Sequence, residues 1–121
     1  MVAPVFDTNI VIDWLKDRPQ AIQELERYPR HSISRITWME VLAGEPPGTR
    51  DNIRDLLASF ELVEVDGRIA AAAADVRHRT RMKLLDAIIL ATAQTQGALL
   101  ITRNTKDFPV KIPGIRVPYT L

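Results

Sequence analysis

The hydrophobic positions of this chain fall into short blocks whose internal spacing switches between that of buried strands and that of amphipathic helices. Residues 2–6 form a nearly continuous apolar run, the pattern of a strand covered on both faces. Asp7-Thr8-Asn9 then supplies oxygens able to cap a helix carrying Ile10, Val11, Ile12, Trp14 and Leu15. Pro19 opens a second helix towards Tyr28, since proline's missing N–H costs nothing in a first turn. Residues 31–34 predict a second strand, and residues 36–43 a helix with Ser34 or Thr37 near its start. That helix ends at Gly44, because Glu45-Pro46-Pro47-Gly48 cannot continue it. A helix over 49–60 gathers Ile53, Leu56, Leu57 and Phe60 on one face, and residues 61–65 alternate like a strand. Asp66 caps an alanine-rich helix running from 68 towards 82. A further helix over 86–96 closes at Gly97, a buried strand follows over 98–101, and residues 115–117 suggest a last edge strand.

Strands separated by pairs of helices, without a tight hairpin signal, predict an α/β fold: a central, mainly parallel sheet of four to five strands with helices on both faces. At 121 residues, 46% hydrophobic and 26% charged, the chain has the size and composition of a single domain spanning 1–121. The absence of cysteine excludes disulfides and thiolate metal sites, so any metal binds through oxygen or histidine. His31 and His78 have no histidine partner at ligand spacing and receive no metal role. The segment 1–13 is apolar but carries Asp7 early and lacks a basic leader, which predicts neither a signal peptide nor a membrane span and suggests a cytoplasmic protein. A net charge of +1 says nothing about nucleic acid by itself.

In open α/β sheets, ligands bind outside the carboxyl ends of the strands, so polar residues just after strands are where chemistry is sought. Asp7 follows the first strand, Glu40 lies in the helix after the second, Asp86 opens the late helix, and Asn104 and Asp107 follow the strand over 98–101. Apolar neighbours flank the first three: Val5-Phe6 before Asp7, Trp38-Met39 and Val41-Leu42 around Glu40, Leu84-Leu85 and Ala87-Ile88-Ile89 around Asp86. Carboxylates in such company need a cation or hydrogen-bond donors to offset desolvation. Mg²⁺ or Mn²⁺ suits an all-oxygen set, and such an ion acidifies water, aligns it with a phosphodiester and offsets charge on the leaving oxygen. That reaction leaves a 5′-phosphate and a 3′-hydroxyl. Singly, Asp7 and Asp86 are equally well read as helix caps, and Asp107 as the end of a turn; the ordered set carries the signal.

Four segments in order, Val5-Phe6-Asp7-Thr8-Asn9, Ile36-Thr37-Trp38-Met39-Glu40-Val41-Leu42-Ala43-Gly44, Leu85-Asp86-Ala87-Ile88-Ile89-Leu90-Ala91-Thr92-Ala93 and Leu99-Leu100-Ile101-Thr102-Arg103-Asn104-Thr105-Lys106-Asp107-Phe108, resemble the PIN-domain proteins of the VapC toxin family across nearly the whole chain. The resemblance implies a PIN-like fold, and it implies that Asp7, Glu40, Asp86 and an acid in the segment 104–107 bind Mg²⁺ or Mn²⁺ and act in catalysis. Many members carry aspartate where this chain has Asn104. Asp107 is the expected fourth acid with Asn104 as its auxiliary; the alternative is a less acidic site to which Asn104 lends a neutral oxygen. Thr8, Asn9 and Thr102 are expected to support the acids by hydrogen bonds. Leu85 replaces a proline frequent in the family. The resemblance further implies an RNA substrate, a homodimer, and a cognate antitoxin protein that covers the site.

The basic stretch Arg77-His78-Arg79-Thr80-Arg81-Met82-Lys83 precedes Asp86. Arg77 and Arg81, four residues apart, are expected to share a helical face and grip RNA phosphates, or to serve as a solvated helix end that favours the dipole. Trp14, Leu15, Trp38 and Met39 suggest the walls of a groove for a partner, although taken singly each is better read as ordinary core packing. Other classes fit less well. A haloacid-dehalogenase-type phosphotransferase needs a second aspartate where Asn9 stands, receiver domains lack helix pairs between strands, and only five glycines leave no phosphate loop. The competing reading is a non-catalytic PIN-like module that binds RNA or protein without cutting.

Overall fold

The computed structural model describes residues 2–121. Its elements are β1 (Val5–Phe6), α1 (Thr8–Leu15), α2 (Pro19–Glu26), β2 (Ser32–Ser34), α3 (Arg35–Ala43), α4 (Arg50–Leu57), β3 (Glu61–Val63), α5 (Gly67–Thr80), α6 (Leu84–Gln96), β4 (Leu100–Ile101) and β5 (Ile115–Arg116), with a single 3₁₀ turn at Pro47–Thr49 before α4. The five strands form one parallel sheet in the order β3-β2-β1-β4-β5. Val5 pairs with Ser32 on one side and Leu100 on the other, so β1 lies at the centre.

Alternation along β1 explains the layers. Val5 joins Leu100, Val76, Ile89, Leu90 and Phe108 in a core under α5 and α6. Phe6, one residue on, joins Ile33, Ile101, Ile10, Val11, Leu25, Leu57 and Phe60 under α1, α2 and α4. Successive strand residues point to opposite faces, so a two-residue strand seeds both cores. Helix α3 contributes Ile36 to the first and Val41 and Leu42 to the second.

Most elements lie where the apolar pattern puts them, and the differences have local causes. The first strand contributes Val5–Phe6 rather than residues 2–6, and the preceding Pro4 offers the sheet only its carbonyl, which accepts from Ser32 N–H at 2.9 Å. Residues 98–99 do not join β4. Gly97 adopts φ 64°, its N–H reaches the Gln94 carbonyl at 3.1 Å, and Ala98 N–H reaches the Ala93 carbonyl at 2.9 Å, a Schellman closure that commits Ala98 to the end of α6. Helix α5 stops at Thr80, two residues before the expected end, because Arg81 turns left-handed at φ 60°. Ser34 caps α3 through Ile36 N–H at 3.1 Å, and Asp66 caps α5 through Ile69 N–H at 2.8 Å. Among the described residues no helix is long and apolar enough to cross a membrane.

Candidate active site

From β1 the chain moves outward to β2 and β3, then returns to place β4 on the opposite side of β1. The gap beyond the carboxyl ends of β1 and β4 is therefore the switch point at which parallel sheets leave a crevice. Asp7 follows β1 there and Thr102 follows β4. Thr102 Oγ1 donates to Asp7 Oδ2 at 2.7 Å, Thr8 N–H donates to Asp7 Oδ1 at 2.8 Å, and Asn9 Nδ2 donates to Asp7 Oδ2 at 3.3 Å. Asp7 is 5% exposed and also caps α1, so capping and site placement coincide in it. Burial pushes its carboxyl up, outweighing the hydrogen bonds from Thr102 and Thr8, and the charges of Asp86 and Glu40 push further, to about 6.

Glu40 lies on the exposed side of α3, not in the apolar enclosure its neighbours suggest, and Met39 beside it is exposed as well. It is tied to the site by Thr8, whose hydroxyl donates to Glu40 Oε1 at 2.6 Å and lies 3.1 Å from the Thr37 hydroxyl. Thr37, fully buried one helical turn before Glu40, is a support that sequence reasoning missed; its three-residue spacing from Glu40 was the available signal.

Asp86 is not a cap. Helix α6 begins at Leu84 after Lys83, which makes no side-chain cap bond, and Asp86 lies inside the first turn. Partial burial raises its carboxyl, the charges of Asp107 and Glu40 raise it further, and Lys83 opposes them. Asp107 is braced by Asn104 from two directions: Asn104 Nδ2 donates to Asp107 Oδ2 at 2.9 Å, and Asp107 N–H donates to Asn104 Oδ1 at 3.2 Å. Asn104 N–H in turn donates to Thr102 Oγ1 at 3.0 Å, so the hydroxyl that holds Asp7 also anchors the loop bearing Asp107.

A second clamp was not read from the sequence. Arg103 donates from Nε and Nη2 to Asp13 Oδ2 and Oδ1 at 2.6 and 3.0 Å, Tyr119 Oη donates to the same carboxylate at 2.8 Å, and Arg103 N–H reaches Asn9 Oδ1 at 3.3 Å. Burial alone would raise the Asp13 carboxyl, but the Arg103 and Tyr119 hydrogen bonds and the charges of Arg103 and Arg18 hold it below the ordinary carboxylate range. The available signal was an acid among Ile10, Val11 and Ile12 on a buried helix.

The basic stretch divides. Arg77 remains on α5, while Arg81 leaves the helix in the left-handed conformation, so the two do not share a helical face. Arg81 instead lines a cleft of about 570 Å³ with Arg79, Lys83, Lys106, Lys111 and Asp107. On the other side, Leu15 borders a smaller groove with Ile12, Val41, Ile53 and Glu40. Trp14 packs edge-on against Phe60, with ring centres 5.3 Å apart, and belongs to the core; Trp38 lies under the Arg35 guanidinium at 4.6 Å.

The centre thus offers carboxylate, amide and hydroxyl oxygens, with mutual repulsion running from Asp86 and Glu40 to Asp7 and from Asp107 and Glu40 to Asp86. Among the described residues no three acids or histidines already enclose an ion-sized space.

Residues 5–111 match the PIN domain family. The chain is 23% identical over 128 residues to the tRNA(fMet)-specific endonuclease VapC of Shigella flexneri, covering 96% of both chains. Its structure is similar to a chain of a toxin–antitoxin complex from Klebsiella pneumoniae, with a TM-score of 0.92, 44% identity, and 98% of this chain and 100% of that one covered. It is also similar to a chain of DNA-bound VapBC from Salmonella typhimurium, with a TM-score of 0.80, 26% identity and 96% of each chain covered. This chain belongs to the PIN domain family.

Proposed function

We propose that this chain is a divalent-cation-dependent endoribonuclease and the toxin of a toxin–antitoxin pair, with Asp7, Glu40, Asp86 and Asp107 as its catalytic acids. The observation that carries this reading is the raised proton affinity of Asp7 and Asp86 beside the β1/β4 switch point, to which the charges of Glu40, Asp86 and Asp107, borne on other elements, contribute. A buried acid held near 6 and an acid pressed by two others are unfavourable in a purely structural role and well suited to a cation. The donor set fits Mg²⁺ or Mn²⁺. Mg²⁺ takes one or two carboxylates, keeps several waters and completes its shell with substrate phosphate, so it requires no cage built from protein alone.

A bound divalent cation supplies Lewis acidity, which activates water and stabilises charge on the phosphoryl oxygens. The protein's own residues prepare for this. Thr102, Asn9 and the Thr8 amide fix both oxygens of Asp7. Thr8 points Glu40 into the site, and Asn104 holds Asp107. Fixed ligands spare the site reorganisation during reaction. Water adds to phosphorus, the bond to the 3′ oxygen breaks, and that oxygen takes a proton, leaving a 5′-phosphate and a 3′-hydroxyl.

Similarity to a tRNA-specific endonuclease and to chains from toxin–antitoxin complexes supports RNA as substrate and an antitoxin protein as partner. A cytoplasmic homodimer as the working form belongs to the proposal alone. The apolar groove of Ile12, Leu15, Val41 and Ile53 beside Glu40 offers the antitoxin a surface next to the acids. The test is to incubate purified protein with an RNA pool rich in tRNA and map the ends produced. Discrete cuts bearing 5′-phosphates, suppressed by the cognate antitoxin, support the proposal. Intact RNA in the presence of Mg²⁺ and Mn²⁺ turns the reading to a non-catalytic binding module.

A further inference from the structure

The cleft between the end of α5 and the segment after β4 is lined by Arg79, Arg81, Lys83, Lys106 and Lys111 over a floor that includes Met82, Pro109 and Ile112. Arg79 is paired with Asp75 at 3.4 Å. Among the described residues, Arg81, Lys83, Lys106 and Lys111 make no ion pair with any carboxylate. Four cations facing one concavity with a single carboxylate, Asp107, at its edge repel each other unless an anion enters, and a concave wall of mainly one sign focuses that field. Arg81 is presented at this wall by a left-handed backbone that glycine adopts freely and arginine rarely does.

The cleft is contiguous with the acid cluster, since Asp107 is one of its lining residues and Lys83 acts on Asp86. The groove bordering Glu40 is different in kind, with Ile12, Leu15, Val41 and Ile53 in its wall. The two approaches to the acids are therefore unequal: one is basic, the other largely apolar. No aromatic side chain lines the basic cleft, so it offers charge without a stacking surface for bases.

We propose that this cleft is a sequence-blind subsite for the phosphodiester backbone of single-stranded RNA on the Asp107 side of the cutting centre, with Arg81, Lys83, Lys106 and Lys111 contacting successive phosphates. The proposal rests on the nuclease reading above and adds a direction to it: RNA crosses the site with flanking phosphates held on one side only. Choice of cutting position comes from elsewhere, because phosphate contacts position a strand without reading it.

The test is binding in EDTA, which separates it from cleavage. The variant Arg81→Gln/Lys106→Gln/Lys111→Gln removes three exposed charges and keeps similar side-chain length. Fluorescence anisotropy with two labelled 20-nucleotide single-stranded RNAs of unrelated sequence gives Kd across a KCl series. Each phosphate contact on a single strand contributes about 0.7 to the slope of log Kd against log [KCl], so the variant is expected to lose about 2 from that slope. The loss is equal for both RNAs, and Arg54→Gln, on α4 and outside the cleft, leaves the slope unchanged. Circular dichroism melts confirm that the variants are folded. An unchanged slope in the folded triple variant overturns the subsite even if the protein cuts RNA. A loss confined to one RNA overturns its sequence-blindness. The predicted loss in a protein that never cuts RNA upholds the subsite and removes the nuclease reading.

Discussion

Thr102 Oγ1 donates to Asp7 Oδ2 at 2.7 Å across 95 residues of chain, joining the ends of β4 and β1 inside the site. Thr102→Val keeps the shape and removes the donor. A hydrogen bond to a charged group is worth about 1.5–3 kcal/mol, so the Asp7 carboxyl should rise by about one pKa unit or more above its present value of about 6. Rates of cleavage measured against pH should show the acidic limb displaced to higher pH in the variant. A superimposable profile contradicts the bond's role.

Asp7 also makes stability depend on pH. Its carboxyl is raised from 3.8 to about 6 by folding, so the folded chain binds the proton more tightly than the unfolded one. The resulting stability is full below about pH 4 and is lost as pH rises through about 6, a contribution on the order of 2–3 kcal/mol. Asp7→Asn cannot lose a proton, and asparagine caps a helix about as well. Without divalent cation, the variant should melt several degrees above wild type at pH 7.5 and lose most of that advantage at pH 4.5. Excess Mg²⁺ or Mn²⁺ should stabilise wild type more than the variant.

The Arg103 clamp makes a different prediction. Asp13 is only 2% exposed, and Arg103→Ala removes its closest cationic partner while Tyr119 and Arg18 remain. Breaking a buried pair from one side costs about 3–5 kcal/mol; the lower end applies here, because Arg103 is partly exposed and Asp13 keeps two partners. Urea denaturation measures this. The loop that carries Asn104 and Asp107 loses one of its ties while the Thr102 bond remains, so kcat should fall in the fraction that remains folded.

Asn104 is spent on holding Asp107. Asn104→Ala should weaken divalent-cation binding by about tenfold, the usual cost of removing a group that orients a ligand, with a small effect on stability. Calorimetric titration with Mn²⁺ in the presence of a non-cleavable RNA checks it. An unchanged affinity would mean that Asp107 is not a ligand.

The candidate acids stand out in the sequence because each lies after a strand or within an apolar helix, places where an unpartnered charge is conspicuous. Their supports were legible only when adjacent in sequence, as Thr8 and Asn9 are to Asp7. Thr37 reads as an ordinary helical threonine until Thr8 is brought beside it, and Asp13 reads as the polar face of α1 until Arg103 arrives from the far end of the chain. The sheet's parallel order follows from helix pairs between strands, whereas strand lengths do not, since Pro4 and the Gly97 closure decide which backbone groups pair. The basic cleft was half visible. A run from Arg77 to Lys83 is evident as sequence, but Arg81's departure from the helix and the arrival of Lys106 and Lys111 belong to the tertiary fold.

The most direct test of the central claim compares wild type with Asp7→Asn on one RNA pool, in Mg²⁺, in Mn²⁺ and in excess EDTA. Both proteins should be folded and bind RNA, and only wild type with divalent cation should produce cuts carrying 5′-phosphates. Cutting that persists in EDTA, or that survives in the folded Asp7→Asn variant, would contradict the assignment of the acid cluster as a cation-dependent nuclease centre.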